Sequence, residues 1–273
     1  MAEVFLREDI AKLWTHEEAC RKARTLEGKV YREVATRRTL RVMLGERAYF
    51  VKLHFGVGWG EIFKNLVTAR LPVTGARNEF RTCRHLQVQG VAAPTVAAFG
   101  EVGASPASRF SFVLCDALDG YESLEDITDR WEQTPPSPLE KRRLTEAVAE
   151  FAKALHQSGV IHRDFYVCHL LAEIEPYIHG EVRLAVIDLH RAQIHTKIPE
   201  RWLLRDLAAL LFSTFDLPFD SRTWLRFIRI YRGRPLQEVF AEEGDFWRGV
   251  YKRALLLYEK GKRKGLVKGN FHP

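Results

Sequence analysis

Cysteine is scarce in this chain and unpatterned. Cys20, Cys83, Cys115 and Cys168 form neither a CxxC pair nor a zinc-ligand spacing, which argues against a disulfide framework and a thiolate metal site and reads as free thiols in a reducing compartment. Long apolar runs are also missing: no stretch approaches the roughly 18 residues a membrane-spanning helix needs. The opening MAEVFLREDI carries acidic residues where a signal peptide needs a basic start and an apolar core. The expectation is a protein that is neither secreted nor membrane-spanning, in the cytoplasm. A GxGxxG phosphate loop is absent, and so are internal repeats and low-complexity tracts.

Acidic residues fall short of basic ones, 35 against 42, giving a net charge of +7 and a pI near 9.3. Such a surface suits phosphate-rich or anionic partners such as nucleotides, nucleic acid or an anionic membrane face. No nucleic-acid motif accompanies it, so no nucleic acid is expected. The 46% hydrophobic and 28% charged residues are ordinary globular usage. At 273 residues the chain is near the size at which one core divides into two lobes.

Strand signals crowd the first half. VYREVATRRTLRVML and AYFVKL, broken by Gly45, read as a hairpin, and TVAAFG and FSFVLC as two further strands. Between them ARNEFRTCRHLQVQG reads as a helix closing at Gly90. Beyond the proline cluster TPPSP the character changes. Leu144, Ala147, Val148, Phe151, Ala152 and Leu155 recur at helical spacing, giving a buried face that ends near Gly159. LAVIDL reads as a short buried strand, and the remainder as helices. The C-terminal KGKRKGLVKGNFHP is basic and glycine-broken, and is expected to fray.

Four elements carry chemistry. Ile161-His162-Arg163-Asp164 follows the long helix, and Asp164 fits the carboxylate that receives and aims an acceptor hydroxyl in phosphoryl transfer. Asp188 ends the strand Val186-Ile187, where a hard oxygen ligand for Mg²⁺ is required. Lys52 lies within the strand Tyr49-Phe50-Val51-Lys52, where burial demands an anionic partner. Glu79, on the following helix, is its natural counter-ion, and the two would orient the phosphates of ATP. Singly, each reads as well as a solvated lysine, an exposed helix carboxylate or a turn starter; the order gives them weight. The stretch Ser111 to Leu118 would form the hinge against adenine, with Asp116 and Leu118 as nucleotide contacts through their backbone. Asp206, within an apolar helix, is expected to hydrogen-bond the backbone of the catalytic loop.

This pattern implies an α+β, two-lobed protein-kinase-like fold. Residues 1–117 form a small β-rich nucleotide-binding lobe with an extra amphipathic insertion at 54–77. Residues 118–273 form a larger helical catalytic and acceptor-binding lobe. Two departures from the eukaryotic pattern stand out. His169 occupies the position of an asparagine metal ligand, although a neutral imidazole is a poor ligand for Mg²⁺; it is either a second metal ligand or a hydrogen bonder of the loop. Leu189 and His190 follow Asp188 in place of Phe and Gly. In the missing glycine loop, the region of Gly28 to Arg32 with Arg37 and Arg38 either holds phosphates with basic side chains or is a solvated hairpin.

The stretches YFVKLHFGVGWGEIFKNLVTARLPVTGARNEF, IHRDFYVCHLL, VIDLHRAQ and RDLAALLFS together resemble the bacterial lipopolysaccharide core heptose(I) kinases over nearly the whole chain. The resemblance implies transfer of the ATP γ-phosphate to a hydroxyl of the first heptose of the inner core, peripherally on the cytoplasmic face of the inner membrane. It implies Asp164 as the catalytic aspartate, His169 as a shared feature, and nucleotide and metal roles for Lys52, Glu79 and Asp188. Partners would be the lipopolysaccharide acceptor and the anionic membrane surface, and the basic charge also admits an acidic protein. In the insertion, Trp59, Ile62, Phe63, Leu66 and Val67 share one helical face, which either meets the membrane or packs on its own lobe. Rival readings are a kinase of another sugar such as Kdo or of a small molecule, and a non-catalytic binding protein on a kinase scaffold.

Overall fold

The computed structural model describes residues 3–56, 75–105, 108–269 and 271. They divide into two compact units. The first joins the chain up to Val88 with Ala93–Asp119 and Asp188–Arg191, the second Gln89–Ala92 with Gly120–Ile187 and the chain from Ala192 onward. The stretch 57–74, which holds the helix expected within the insertion 54–77, lies outside the described residues.

The first unit is built on a sheet of six antiparallel strands. In chain order these are β1 (Glu3–Leu6), β2 (Lys29–Val34), β3 (Arg37–Leu44), β4 (Arg47–His54), β5 (Val96–Val102) and β6 (Phe110–Asp116), and in space β1-β5-β6-β4-β3-β2. The run read as one arm of a hairpin is itself two strands, turning at Ala35-Thr36; Gly45, with φ of 63°, makes the next turn. Along β4 the side chains alternate. Tyr49, Val51 and Leu53 enter a core with Ile10 and Trp14, which come from and just beyond helix α1 (Glu8–Ala11), and with Ala19 and Ala23 of helix α2 (Ala19–Arg24). Period-two geometry turns Lys52 to the opposite face, the one that helix α3 (Arg77–Val88) serves. Lys52 pairs with Thr39 on one side and Val113 on the other, well inside the sheet.

The second unit is mostly helical. Its elements are β7 (Tyr121–Ser123), α4 (Leu124–Asp129), α5 (Pro138–Gln157), β8 (Val160–Ile161), β9 (Leu170–Glu173), α6 (Ile174–Ile178), β10 (Leu184–Val186), β11 (Gln193–Ile194), α7 (Glu200–Phe212), α8 (Ser221–Arg232) and α9 (Leu236–Arg263). The proline cluster ends where Ser137 caps α5 by accepting the Glu140 N–H, with Pro138 in the first helical turn. The buried stripe of α5 differs from the expected one: Leu144, Thr145, Val148, Ala149, Ala152, Leu155 and His156 are buried, whereas Ala147 and Phe151 are half-exposed. Threonine and histidine escaped a hydrophobicity pattern because each finds a hydrogen bond inside, Thr145 to the Lys141 carbonyl and His156 to the Tyr231 hydroxyl. Gly159 ends the helix turn with φ of 82°, and a Cβ there would meet the His195 carbonyl. Side chains of α4, α5, α7 and α8 together with Phe271 line a cavity of about 360 Å³.

The described part of the basic tail makes specific contacts. Lys268 reaches Glu132 at 2.6 Å and Asp129 at 3.1 Å, and Phe271 stacks on Phe215 with ring centroids 4.0 Å apart. Two acids and one aromatic face anchor a segment whose glycines and lysines had suggested fraying.

Two buried histidines give the fold a pH signature. Burial pushes His54 down to about 3, with the charges of Arg37 and Lys52 adding to the effect. Burial also lowers His162, against the opposing charge of Asp206. In the unfolded chain both rings take up a proton near pH 6.5, so below that pH the unfolded state binds more protons and stability falls. The loss for His54 should run from about pH 6.5 down towards 3, at up to about 1.4 kcal/mol per pH unit. Thermal melts recorded at decreasing pH should therefore decline less steeply for His54→Gln than for the unsubstituted chain; equal slopes would remove His54 as a cause.

Candidate functional site

Lys52, Glu79 and Asp188 come together in the first unit. The Lys52 Nζ donates to Glu79 Oε1 at 2.7 Å and to Asp188 Oδ1 at 2.9 Å. The Lys52 side chain is 19% exposed and that of Glu79 5%. Burial alone would lower the lysine, but the charges of Glu79 and Asp188 overcome it and hold the pKa above the usual lysine range. Asp188 is held well below the usual carboxylate range: burial works against this, and the His190 hydrogen bond and the Lys52 charge prevail. The His190 Nδ1 donates to the same Asp188 Oδ1 at 2.6 Å. Asn78, beside Glu79 on α3, donates to the His190 carbonyl at 3.0 Å and the Leu189 carbonyl at 3.4 Å. One helix thus supplies both the counter-ion of the lysine and the tether of the segment that carries the second acid. The backbone at Asp188 is left-handed, φ 61°, a conformation costly for a residue with a Cβ.

Asp164 and His169 lie together in the second unit. The loop leaves β8, which β11 pairs through Ile161 with Gln193 and Val160 with Ile194. The Asp206 carboxylate, fully buried in α7, accepts the His162 N–H at 2.6 Å on Oδ2 and the Arg163 N–H at 2.8 Å on Oδ1. This is the loop contact expected of Asp206. With both amides held, Arg163 keeps a left-handed φ of 73°. His169 turns inward: its Nδ1 donates to the Asp164 carbonyl at 2.7 Å, and its ring stacks on His162 with centroids 5.4 Å apart. The His162 Nε2 donates to the Ile187 carbonyl at 2.9 Å, and the Ile187 N–H donates to the His169 carbonyl at 3.0 Å. The loop is thereby tied to the residue that precedes Asp188 in the chain.

The remaining expected nucleotide contacts are less engaged. The Asp116 carboxylate is forked by Arg7, with both bonds at 2.7 Å, and Arg7 in turn holds Asp9. The Asp116 N–H goes to the Thr95 carbonyl and the Ala117 N–H to the Ala48 carbonyl. Leu118 is half-buried in the coil after β6. In the hairpin region expected to replace a glycine loop, β2 is exposed throughout and Arg38 pairs with Glu33 at 2.9 Å. Sequence reasoning noted His190 only as a departure from the kinase pattern, without a role, and missed Asn78. A histidine two positions after an aspartate at a strand end was the available signal for the first; the second had none.

The residues suit an ATP phosphate and a divalent cation. Among the described residues Glu79 Oε2 is buried without a hydrogen-bond partner, and through Oε1 Glu79 holds Lys52 as a deeply set cation. Among the described residues no group of three or more His, Cys, Asp and Glu could hold a metal ion. A site drawing on Asp188 and phosphate oxygens matches the preference of Mg²⁺ for few carboxylates, substrate oxygens and water.

A sheet-borne lysine clasped by a helix glutamate, with a His-Arg-Asp loop in a helical unit, defines the protein-kinase-like class. The sequence profile of the lipopolysaccharide kinase (Kdo/WaaP) family matches residues 21–231, and the chain belongs to that family. It is similar to the lipopolysaccharide core heptose(I) kinase WaaP of Pseudomonas aeruginosa, 45% identical over 261 residues that cover 95% of this chain and 97% of that protein. To the enzyme of the same name from Escherichia coli K12 it is 38% identical over 265 residues, 96% of this chain and all of the relative. A solved structure described as WaaP in complex with acyl carrier protein matches with a TM-score of 0.80 at 39% identity, covering 94% of this chain and 99% of that one.

Asp206→Ala should leave two inward-facing amides without an acceptor and release Arg163 from its strained φ. A loss on the order of 3 kcal/mol is expected in denaturant unfolding; a loss below about 1 kcal/mol would mean that the loop holds its shape by other means.

Proposed function

We propose that this chain transfers the γ-phosphate of ATP to a hydroxyl of heptose I in the inner core of lipopolysaccharide. The 45% identity to a heptose(I) kinase along 95% of the chain carries the choice of acceptor. The two buried clamps support the reaction type. Asp164 receives the proton of the acceptor hydroxyl and aims its oxygen in line with the bond between the γ-phosphorus and the departing ADP oxygen. Lys52, fixed by Glu79, pairs with the non-transferred phosphates. Bound on Asp188, Mg²⁺ would neutralise charge on the β- and γ-phosphate oxygens. The Asp116–Leu118 backbone takes the adenine. His169 acts as a hydrogen bonder that shapes the loop, because its Nδ1 is spent on the Asp164 carbonyl.

The acceptor is anchored in a membrane, and the reading places the protein peripherally on the cytoplasmic face of the inner membrane, where a net charge of +7 favours an anionic surface. Among the described residues no helix is long and apolar enough to cross a membrane. The same charge favours an acyl carrier protein as the acidic partner, as for the relative solved in complex with one.

Purified protein incubated with labelled ATP and heptose-containing core oligosaccharide should label the heptose; label on Kdo alone would shift the acceptor, and no label on any sugar would favour a binding scaffold. Asp164→Asn should keep ATP affinity and lower kcat by about 10²–10⁴. Lys52→Met should weaken ATP binding and destabilise the first unit by roughly 3–5 kcal/mol, because Glu79 and Asp188 lose their shared cation; unaltered ATP binding would remove Lys52 from the phosphate site.

A further inference from the structure

Beside the Asp164 loop, the helical unit gathers guanidinium groups around one indole. The Trp202 ring, in the first turn of α7, has the Arg205 guanidinium 4.5 Å from its centroid, that of Arg163 at 5.1 Å and that of Arg201 at 5.8 Å. Arg253, on α9, lies within range of the Arg205 charge. It is half-buried, and its Nε is buried without a hydrogen-bond partner among the described residues. Its pKa is held below the usual arginine range by burial first and by the charge of Arg205 second, with Tyr166 opposing. Arg7, Arg77 and Arg232, also part-buried, are each met by acids: Arg7 by Asp9 and Asp116, Arg77 by Glu101, Arg232 by Glu243. A half-buried guanidinium such as that of Arg253, facing the like charge of the exposed Arg205, is unfavourable unless something anionic offsets it.

Guanidinium forks fit the planar oxygens of carboxylates and the oxygens of phosphates, and an aromatic plate fixes the forks in advance. The placement also bears on the reaction. Arg163 precedes Asp164, and Asp206, which holds its amide, is the neighbour of Arg205 on α7. A single helix therefore sets both the loop and the cationic cluster, so an anion seated on the cluster stands at a fixed offset from Asp164.

We propose that Arg205 and Arg253, with Arg163 and Arg201 around Trp202, bind a carboxylate or phosphate of the acceptor glycolipid and thereby position its hydroxyl for Asp164. This rests on the glycolipid-kinase reading. Arg205 and Arg253 are positioning residues, distinct from those that serve ATP.

The test compares the unsubstituted protein with Arg205→Gln, Arg253→Gln, the double variant and Arg205→Lys, using core oligosaccharide as acceptor. The double variant should raise the KM for oligosaccharide by at least about tenfold while the KM for ATP moves by less than about twofold. Arg205→Lys should fall between. Because like charges are separated, the thermal midpoint of Arg205→Gln, a change on an exposed side chain, should hold or rise. Titration calorimetry with the oligosaccharide alone should show the same weakening without turnover. This keeps the two readings apart: a protein that transfers no phosphate to a sugar refutes the kinase reading, while calorimetry still decides the site. Repeating the titration with methyl-esterified and with dephosphorylated oligosaccharide identifies the anion, since the modification that removes it should reproduce the double variant's affinity. Unchanged KM and affinity in the double variant would overturn the proposal, as would a lowered thermal midpoint with unchanged KM, which would make the cluster a packing feature.

Discussion

The Lys52 side chain is about four-fifths out of water, and much of the first unit follows from meeting its charge. Leaving such a group without partners would cost several kcal/mol. The pleat of β4 directs Tyr49, Val51 and Leu53 to one core and the lysine to the other face, so a helix on that face has to bring a carboxylate inward. Glu79 does so at 3% exposure. A second acid reaches the same nitrogen only because the chain at Asp188 accepts a left-handed backbone, and Asn78 secures the turn that follows. Buried ion pairs of this kind add little net stability, and their worth lies in allowing one arrangement of the chain.

The helical unit solves a similar problem in reverse. There the buried charge is an anion, Asp206, and what it meets is backbone, the consecutive amides of His162 and Arg163. Arg163 and Asp188 are the two non-glycine residues with positive φ among those described. Each is kept in that conformation by a network with a buried carboxylate at its centre. Strain at sites of chemistry persists only where the surroundings over-determine it.

Much of this was legible in the amino-acid order because charge inside an apolar pattern is conspicuous. Lys52 amid Tyr49, Phe50 and Val51, Asp188 after Val186 and Ile187, and Asp206 among leucines and alanines each break a hydrophobic run. The strands β3 to β6 and the helices α3, α5 and α7 announced themselves by period. Less was readable where function rests on contacts between distant segments. Glu3–Leu6 is a strand because β5 offers an edge, and Arg7 is half-buried because Asp116 and Asp9 receive it. Composition was also a poor guide to the tail, whose order depends on Phe215, Asp129 and Glu132 at remote positions in sequence. The stripe on α5 turned on polar side chains that are buried because they are satisfied.

Asp206 has no solvent exposure and sits among Leu207, Ala208, Ala209 and Leu210, which are buried as well. The amides of His162 and Arg163 therefore have an acceptor that cannot reach water unless α7 leaves its packing. Exchange of these two hydrogens with solvent is tied to opening of the helical core instead of to local breathing of the loop. Mild heating that frays surface segments should therefore leave this turn of the loop intact, its disorder coinciding with the collapse of the core.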